Sequence, residues 1–264
     1  MKLIKKLVMY ICVALIVGLI CFTFSKTFAF KSDDNSAIPE IDSNLITKLY
    51  TYLPSKEIGD TQTLYNTYYL TINNISYITQ ALMTYNYIIN YDEFKLKTVP
   101  EEEKNNLNIE GTILYKILNA TIEGMNGYKI TKEDFINTLT YLFGTNERYY
   151  DTDFKINSNL KAKFKNDNYY IYEENTIDNI IYYKGLDSYT LTDNRETIKL
   201  NEYYLRCNKE TKECFDKEGS DTPVSYIRYS ENLDINSIKD KIKRYEHVFK
   251  YESDHYIWIS TEGI

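Results

Sequence analysis

Cys207 and Cys214 carry the most specific chemical spacing in the chain. They flank Asn-Lys-Glu-Thr-Lys-Glu between two strand-like segments, and the other cysteines, Cys12 and Cys21, lie in an apolar run near the start. Two thiols across a polar turn predict a disulfide in an exported chain, since oxidising compartments preserve such bonds. Closing a loop of about eight residues restricts the unfolded state by ~2.5 kcal/mol. Zinc is the competing chemistry and needs two further ligands; no other Cys or His stands nearby in sequence.

His247 and His255 are the only imidazoles available as general bases. A nucleophile–His–acid arrangement is recognised by geometry, which sequence does not supply. His247 sits in an alternating strand pattern and His255 beside a turn, so ordinary strand roles are expected for both. Asp151-Thr-Asp153-Phe-Lys155-Ile-Asn157-Ser-Asn159 partly resembles a calcium loop. Lys155, Ile156 and Ala162 nevertheless stand where such a loop needs an oxygen ligand, a glycine and a bidentate Glu, so a polar entry into a strand is expected. No glycine-rich phosphate loop, HExxH or GxSxG occurs, and no metal or cofactor is expected. Paired carboxylates need not be neighbours in sequence, which leaves a carboxylate-dependent hydrolase of an envelope glycan as the alternative to a non-catalytic module.

The start of the chain sets the compartment in which these groups work. Leu7 to Phe24 is an uncharged, mostly apolar run of 18 residues behind Lys2, Lys5 and Lys6. At ~1.5 Å per residue it makes a helix of roughly 27 Å, close to the hydrocarbon thickness of a bilayer, with its positive charge on the cytoplasmic side. Residues 1–29 are expected to be a single transmembrane anchor or, with the small residues Thr27 and Ala29 before a cut, a signal peptide. The product is then a single-pass membrane protein with its C-terminal domain outside, or a secreted one. Ile20 before Cys21 fits a lipoprotein signal poorly. Residues 30–41, which include the polar stretch Lys31–Glu40, read as a stalk.

The first 29 residues hold four lysines and no acid, so the rest has 27 basic against 38 acidic side chains. That balance argues against nucleic acid as a partner. The 28 tyrosines accompany abundant Asn, Ile and Lys, all encoded by A/T-rich codons, so base composition accounts for much of the tyrosine content.

Residues 42–264 are expected to form an α+β domain, helical over 42–144 and β-rich over 150–264. Asp42 or Ser43 caps a first helix with Leu45, Ile46, Leu49, Tyr50 and Leu53 on its apolar face, before Pro54. Asn74 precedes a second, with Ile75, Ile78, Ala81, Leu82, Tyr85, Ile88 and Ile89 as its stripe. Pro100 with Glu101, Glu102 and Glu103 opens another, Thr112–Met125 repeats Ile-Leu pairs at helical spacing, and Thr131 caps a helix that Gly144 stops. Afterwards the period becomes two: Leu160, Ala162 and Phe164 alternate with lysines, Asn166-Asp167-Asn168 turns the chain, and strands are expected at 180–183, 198–207 and 224–229. Tyr245, His247, Phe249 and Tyr251 share one strand face before Glu252-Ser253-Asp254 turns into Tyr256–Ser260. Helices first and strands second predict an antiparallel sheet. Tyr245, Phe249 and Tyr251 form either core or a binding face.

With Thr131-Lys-Glu-Asp-Phe135 leading to Phe143-Gly144, and with the Tyr245–Ser260 hairpin, the chain resembles exported or membrane-anchored proteins of low-GC Gram-positive bacteria. Its end is similar to the curved hairpins of cystatin-like and nuclear-transport-factor-like folds. The second resemblance implies a groove between helix and sheet that takes a ligand or partner, and neither carries a catalytic residue across. The expected function is a membrane-anchored, extracytoplasmic, non-catalytic module that binds a protein or an envelope polymer.

Overall fold

The computed structural model describes residues 38–51, 53, 64–65, 69–92, 95–100, 102–103, 107, 113–114, 127–144, 149–157, 159–173, 179–217 and 220–264. The expected anchor and most of the stalk lie outside these residues. Among the described residues no helix is long and apolar enough to cross a membrane.

Among the described residues of Glu40–Ile264 there are three α-helices and two antiparallel sheets, with most strands in the C-terminal half. α1 (Ser43–Thr51) starts at Asp42, whose Oδ1 accepts from the Leu45 amide at 2.8 Å. α2 (Tyr77–Tyr91) is capped by Ser76, which accepts from the Thr79 amide. Asn74, the expected cap, instead folds the preceding turn by accepting from the Thr71 amide. Polar residues at both positions satisfy local amides, so composition alone does not choose between them. From Tyr77 to Ile88 the buried residues of α2 go round the whole helix, which makes it a central helix with no solvent face there. α3 (Lys132–Phe143) follows its sequence signals closely. Thr131 accepts from the Asp134 amide and donates to its carboxylate, Glu133 and Asp134 complement the dipole, and Gly144 leaves the helix at φ 69°.

The first sheet runs β1 (Tyr69–Thr71), β12 (His255–Gly263), β11 (Arg244–Glu252), β9 (Thr197–Asn208) and β10 (Cys214–Phe215), and β8 (Ile180–Thr192) pairs along the whole of β9. The second runs β2 (Leu96–Thr98), β4 (Tyr128–Thr131), β7 (Asn168–Glu173), β6 (Leu160–Lys165) and β5 (Phe154–Lys155), with β3 (Ile113–Leu114) on β7. Both predicted hairpins form. Asn166-Asp167 and Ser253-Asp254 supply the paired positive φ angles of two-residue turns. α3 touches both sheets: the Phe135 ring lies 4.4 Å from that of Tyr169 on β7, and Phe143 meets Trp258 of β12 edge-on at 6.2 Å.

Among the described residues the N-terminal half holds strands as well as helices, because β1 to β4 fall inside it. The expected helix over 112–125 begins as strand: Leu114 pairs with Tyr172 and Ile113 with Glu173, and residues 115–126 are outside the description. A short Ile-Leu run satisfies either period, and β7 extends beyond the end of β4 with open backbone groups that β3 satisfies. Only Glu102–Glu103 of the Pro100 helix is described, with the Glu103 amide donating to the Pro100 carbonyl. The expected strand at 224–229 is a turn carrying one isolated bridge at Arg228.

Cys207 and Cys214 are bonded directly across β9 and β10, with Cα atoms 4.0 Å apart. The bridge is buried with Leu205, Ile227 and Ile242, and Cys207 lies on the face of β9 opposite Glu202, which α1 contacts through Tyr50. Replacing both cysteines by serine removes the crosslink and buries two hydroxyls. The expected loss is about 2–3 kcal/mol in urea unfolding, with reductant destabilising the native protein but not the double variant.

Candidate functional site

The alternation of β9 sends Ile198, Leu200, Glu202 and Tyr204 to one buried face. Period-two geometry thereby drives a carboxylate into the core. Glu202 is the one buried carboxylate among the described residues, and donors from three different parts of the chain meet it. The hydroxyl of Tyr50, from α1, donates to Oε1 at 2.7 Å; the hydroxyl of Tyr65 donates to Oε2 at 2.5 Å; and Nε2 of His247, from β11, lies 3.0 Å from Oε2. Beyond the imidazole, Nδ1 of His247 is 2.8 Å from the Thr261 hydroxyl, which also accepts from the Trp258 indole at 3.2 Å. Every direction in this chain is satisfied when His247 carries its proton on Nε2. Trp258 then donates to Thr261, Thr261 to His247, and His247 to Glu202.

Burial pushes the Glu202 carboxyl up, but the His247 hydrogen bond, the Lys184 ammonium and the Tyr65 hydroxyl outweigh it, and the group lies below its ordinary value. Tyr65 is raised well above the usual phenol range by burial and by Glu202, and Tyr50 likewise. Aromatic rings wall in the network. Tyr65 stacks on Tyr204 at 4.3 Å and meets Tyr245 edge-on at 4.9 Å, while Lys184 Nζ lies 5.2 Å above the Tyr65 ring.

Thr261, His247 and Glu202 have the residue types of a nucleophile, base and acid. All three are buried, Trp258 occupies the Thr261 oxygen, and the carboxylate is held ionised by its donors. Such an arrangement holds a proton in place and ties elements together. A glycosidase acid needs the opposite, a carboxyl whose pKa is raised beside a reachable substrate.

Of the expected face, Tyr245 and Phe249 are fully buried and Tyr251 is half-buried against Tyr256. This stripe is core because it shares its face with Glu202 and His247, and the Tyr245 hydroxyl donates to the Tyr65 carbonyl at 2.8 Å. The calcium-like segment is the expected strand entry: Asp151 pairs with Lys132, Asp153 accepts from the Phe164 amide, and Asn157 accepts from the Asn159 and Leu160 amides. No group of three metal-binding side chains occurs among the described residues. A depression of about 510 Å³ beside the start of α3 mixes Lys132 with Glu133 and Asp167 and converges no single charge.

Another cluster of rings, two of them exposed, lies where α1, α2 and α3 end. Tyr87 and Tyr91 of α2, Tyr141 of α3 and His255 of β12 stand side by side. Tyr141 stacks on His255 at 4.0 Å, and Tyr87 lies 5.7 Å from Tyr141 and 5.5 Å from Tyr91. Tyr91 is 36 % and Tyr141 39 % exposed. Sequence reasoning missed this rim because its members come from three elements, and His255 gave the only hint. Compared with protein-family models, curated proteins and solved structures, the chain finds no match.

Glu202→Gln leaves three donors facing an amide and breaks the pair with His247. A loss of about 3 kcal/mol in urea unfolding at neutral pH is expected. The pH dependence has a definite sign. Because the folded carboxyl lies below its unfolded value near ~4.3, its contribution is complete above that value and disappears as pH falls through the lower folded one. Stability measured across the acid range should drop more steeply in the native protein than in Glu202→Gln.

Proposed function

We propose that the chain is a membrane-anchored, extracytoplasmic, non-catalytic module that binds a protein or a cell-envelope polymer through the tyrosine rim at the helix ends. The observation that carries this reading is the rim itself: Tyr91 and Tyr141 offer exposed ring area on packed helices, with Tyr87 buried behind them. Rigid aromatic side chains present contact area at low entropic cost, which is why they anchor interfaces. The Cys207–Cys214 bridge supports an oxidising location, and the basic start followed by Leu7–Phe24 supports a membrane tether. Glu202 is fully buried among Tyr50, Tyr65 and His247, out of reach of a glycan, which weighs against the glycan-hydrolase alternative.

Two measurements test the reading. In the native host, washed membranes should retain the chain; recovery only as a soluble species trimmed near Ala29 would refute the anchor. A photoreactive residue at position 141 should give a discrete envelope adduct, whereas one at Tyr69, 55 % exposed on β1, should not. Equal labelling from both positions, or none from 141, rejects the rim as the binding surface.

A further inference from the structure

The rim already holds a cation. Lys48, in the last turn of α1, places its ammonium 5.2 Å from the centre of the Tyr87 ring and 5.5 Å from that of Tyr91. Tyr141 stands beside them as a third ring, its centre 5.7 Å from that of Tyr87 and its other face stacked on His255, and the Lys48 charge acts on its phenol. Burial, Tyr87 and Asp254 push the Tyr141 phenol up to about 12, so the wall stays neutral and electron-rich at physiological pH. Two carboxylates flank it, Asp92 at the C-cap of α2 acting on Tyr87 and Asp254 acting on Tyr141, although Asp92 is shared with Lys95 at 2.9 Å. α1 and α2 also bring their C-terminal, negative dipole ends to this corner.

An ammonium 5.2 and 5.5 Å from the two ring centres lies within cation–π range of both. A nitrogen carrying methyl groups presents carbon to each ring face, and it is more weakly hydrated than a bare ammonium. Aromatic walls of this kind recognise quaternary ammonium groups.

We propose that Tyr87, Tyr91 and Tyr141 form a cage for a quaternary ammonium group, in which Lys48 is a tethered occupant that the ligand displaces. This rests on the reading of the rim as the binding surface and names the chemistry it takes. Lys48 is then a competitor built into α1, which keeps affinity for free cations low and favours ligands presented repeatedly on a polymer or surface.

The test uses the full chain in a nonionic detergent, titrated with tetramethylammonium chloride and followed by the ring-proton resonances of Tyr87, Tyr91 and Tyr141. Lys48→Met keeps the apolar stem and removes the charge, and it should bind about tenfold more tightly than the native protein. Adding Tyr91→Ala should cancel that gain, and sodium chloride at equal ionic strength should reproduce none of it. If Lys48→Met melts like the native protein and responds no more to tetramethylammonium than to sodium, the cage is refuted. Should that variant fold poorly, the native resonances decide by the same comparison. Choline and phosphatidylcholine vesicles, tested in parallel, separate a free or polymer-borne group from a lipid headgroup, and saturable binding of either upholds the cage. An envelope adduct from position 141 without any ammonium response rejects the cage alone; failure of both rejects the rim with it.

Discussion

The charge on Glu202 is the constraint around which the domain is arranged. A carboxylate taken out of water is tolerated only where donors replace its hydration, and here they come from α1, from Tyr65 and from β11. Tyr50 and Tyr65 lie 152 and 137 residues from Glu202 along the chain, so satisfying one side chain brings the N-terminal elements onto the central sheet. Thr261 and Trp258 carry the same network into β12. Three parts of the chain thus converge on two carboxylate oxygens, with β12 behind the imidazole, and an apolar core would not demand that particular convergence.

Tyrosine makes this possible because it brings a ring to fill the core and a hydroxyl to satisfy it. The second sheet repeats the device. The Tyr77 and Tyr169 hydroxyls are 2.8 Å apart, Tyr169 donates to Tyr149, and Tyr149 donates to Asp151, which Lys132 holds from the start of α3. The sequence holds 28 tyrosines. Their placement is a matter of packing: Tyr65, Tyr128, Tyr169, Tyr170, Tyr204 and Tyr245 are among the largest fully buried side chains.

What the sequence made legible was local. Thr131 and Gly144 bound a helix through contacts three or four residues away, Asn166-Asp167 and Ser253-Asp254 make turns from their own conformational preferences, and the cysteines are separated by seven positions. The α+β class followed from the change of period near residue 150. Short strands such as β1 and β2 were not legible, because three residues acquire strand geometry only from the partner beside them. Glu202 was hidden for the same reason, since nothing within several residues shows that the donors for its charge lie in α1 and near Tyr65. Its parity with Ile198, Leu200 and Tyr204 was the available clue. The rim escaped notice because Lys48, Tyr87, Tyr141 and His255 belong to four separate elements.

α1 is also tied to the rest of the domain by its polar side chains. Any tension applied through the residues before Ser43 enters the domain at this nine-residue helix. Its attachments include the Tyr50 hydroxyl on Glu202 and the Lys48 ammonium against the α2 rings, so load passes at once to a buried charge and to the rim. Were Lys48 displaced as proposed, one of those attachments would be lost, and a pull that freed Tyr50 would leave Glu202 short of a donor. A load on the helix would thus fall on two side chains two positions apart.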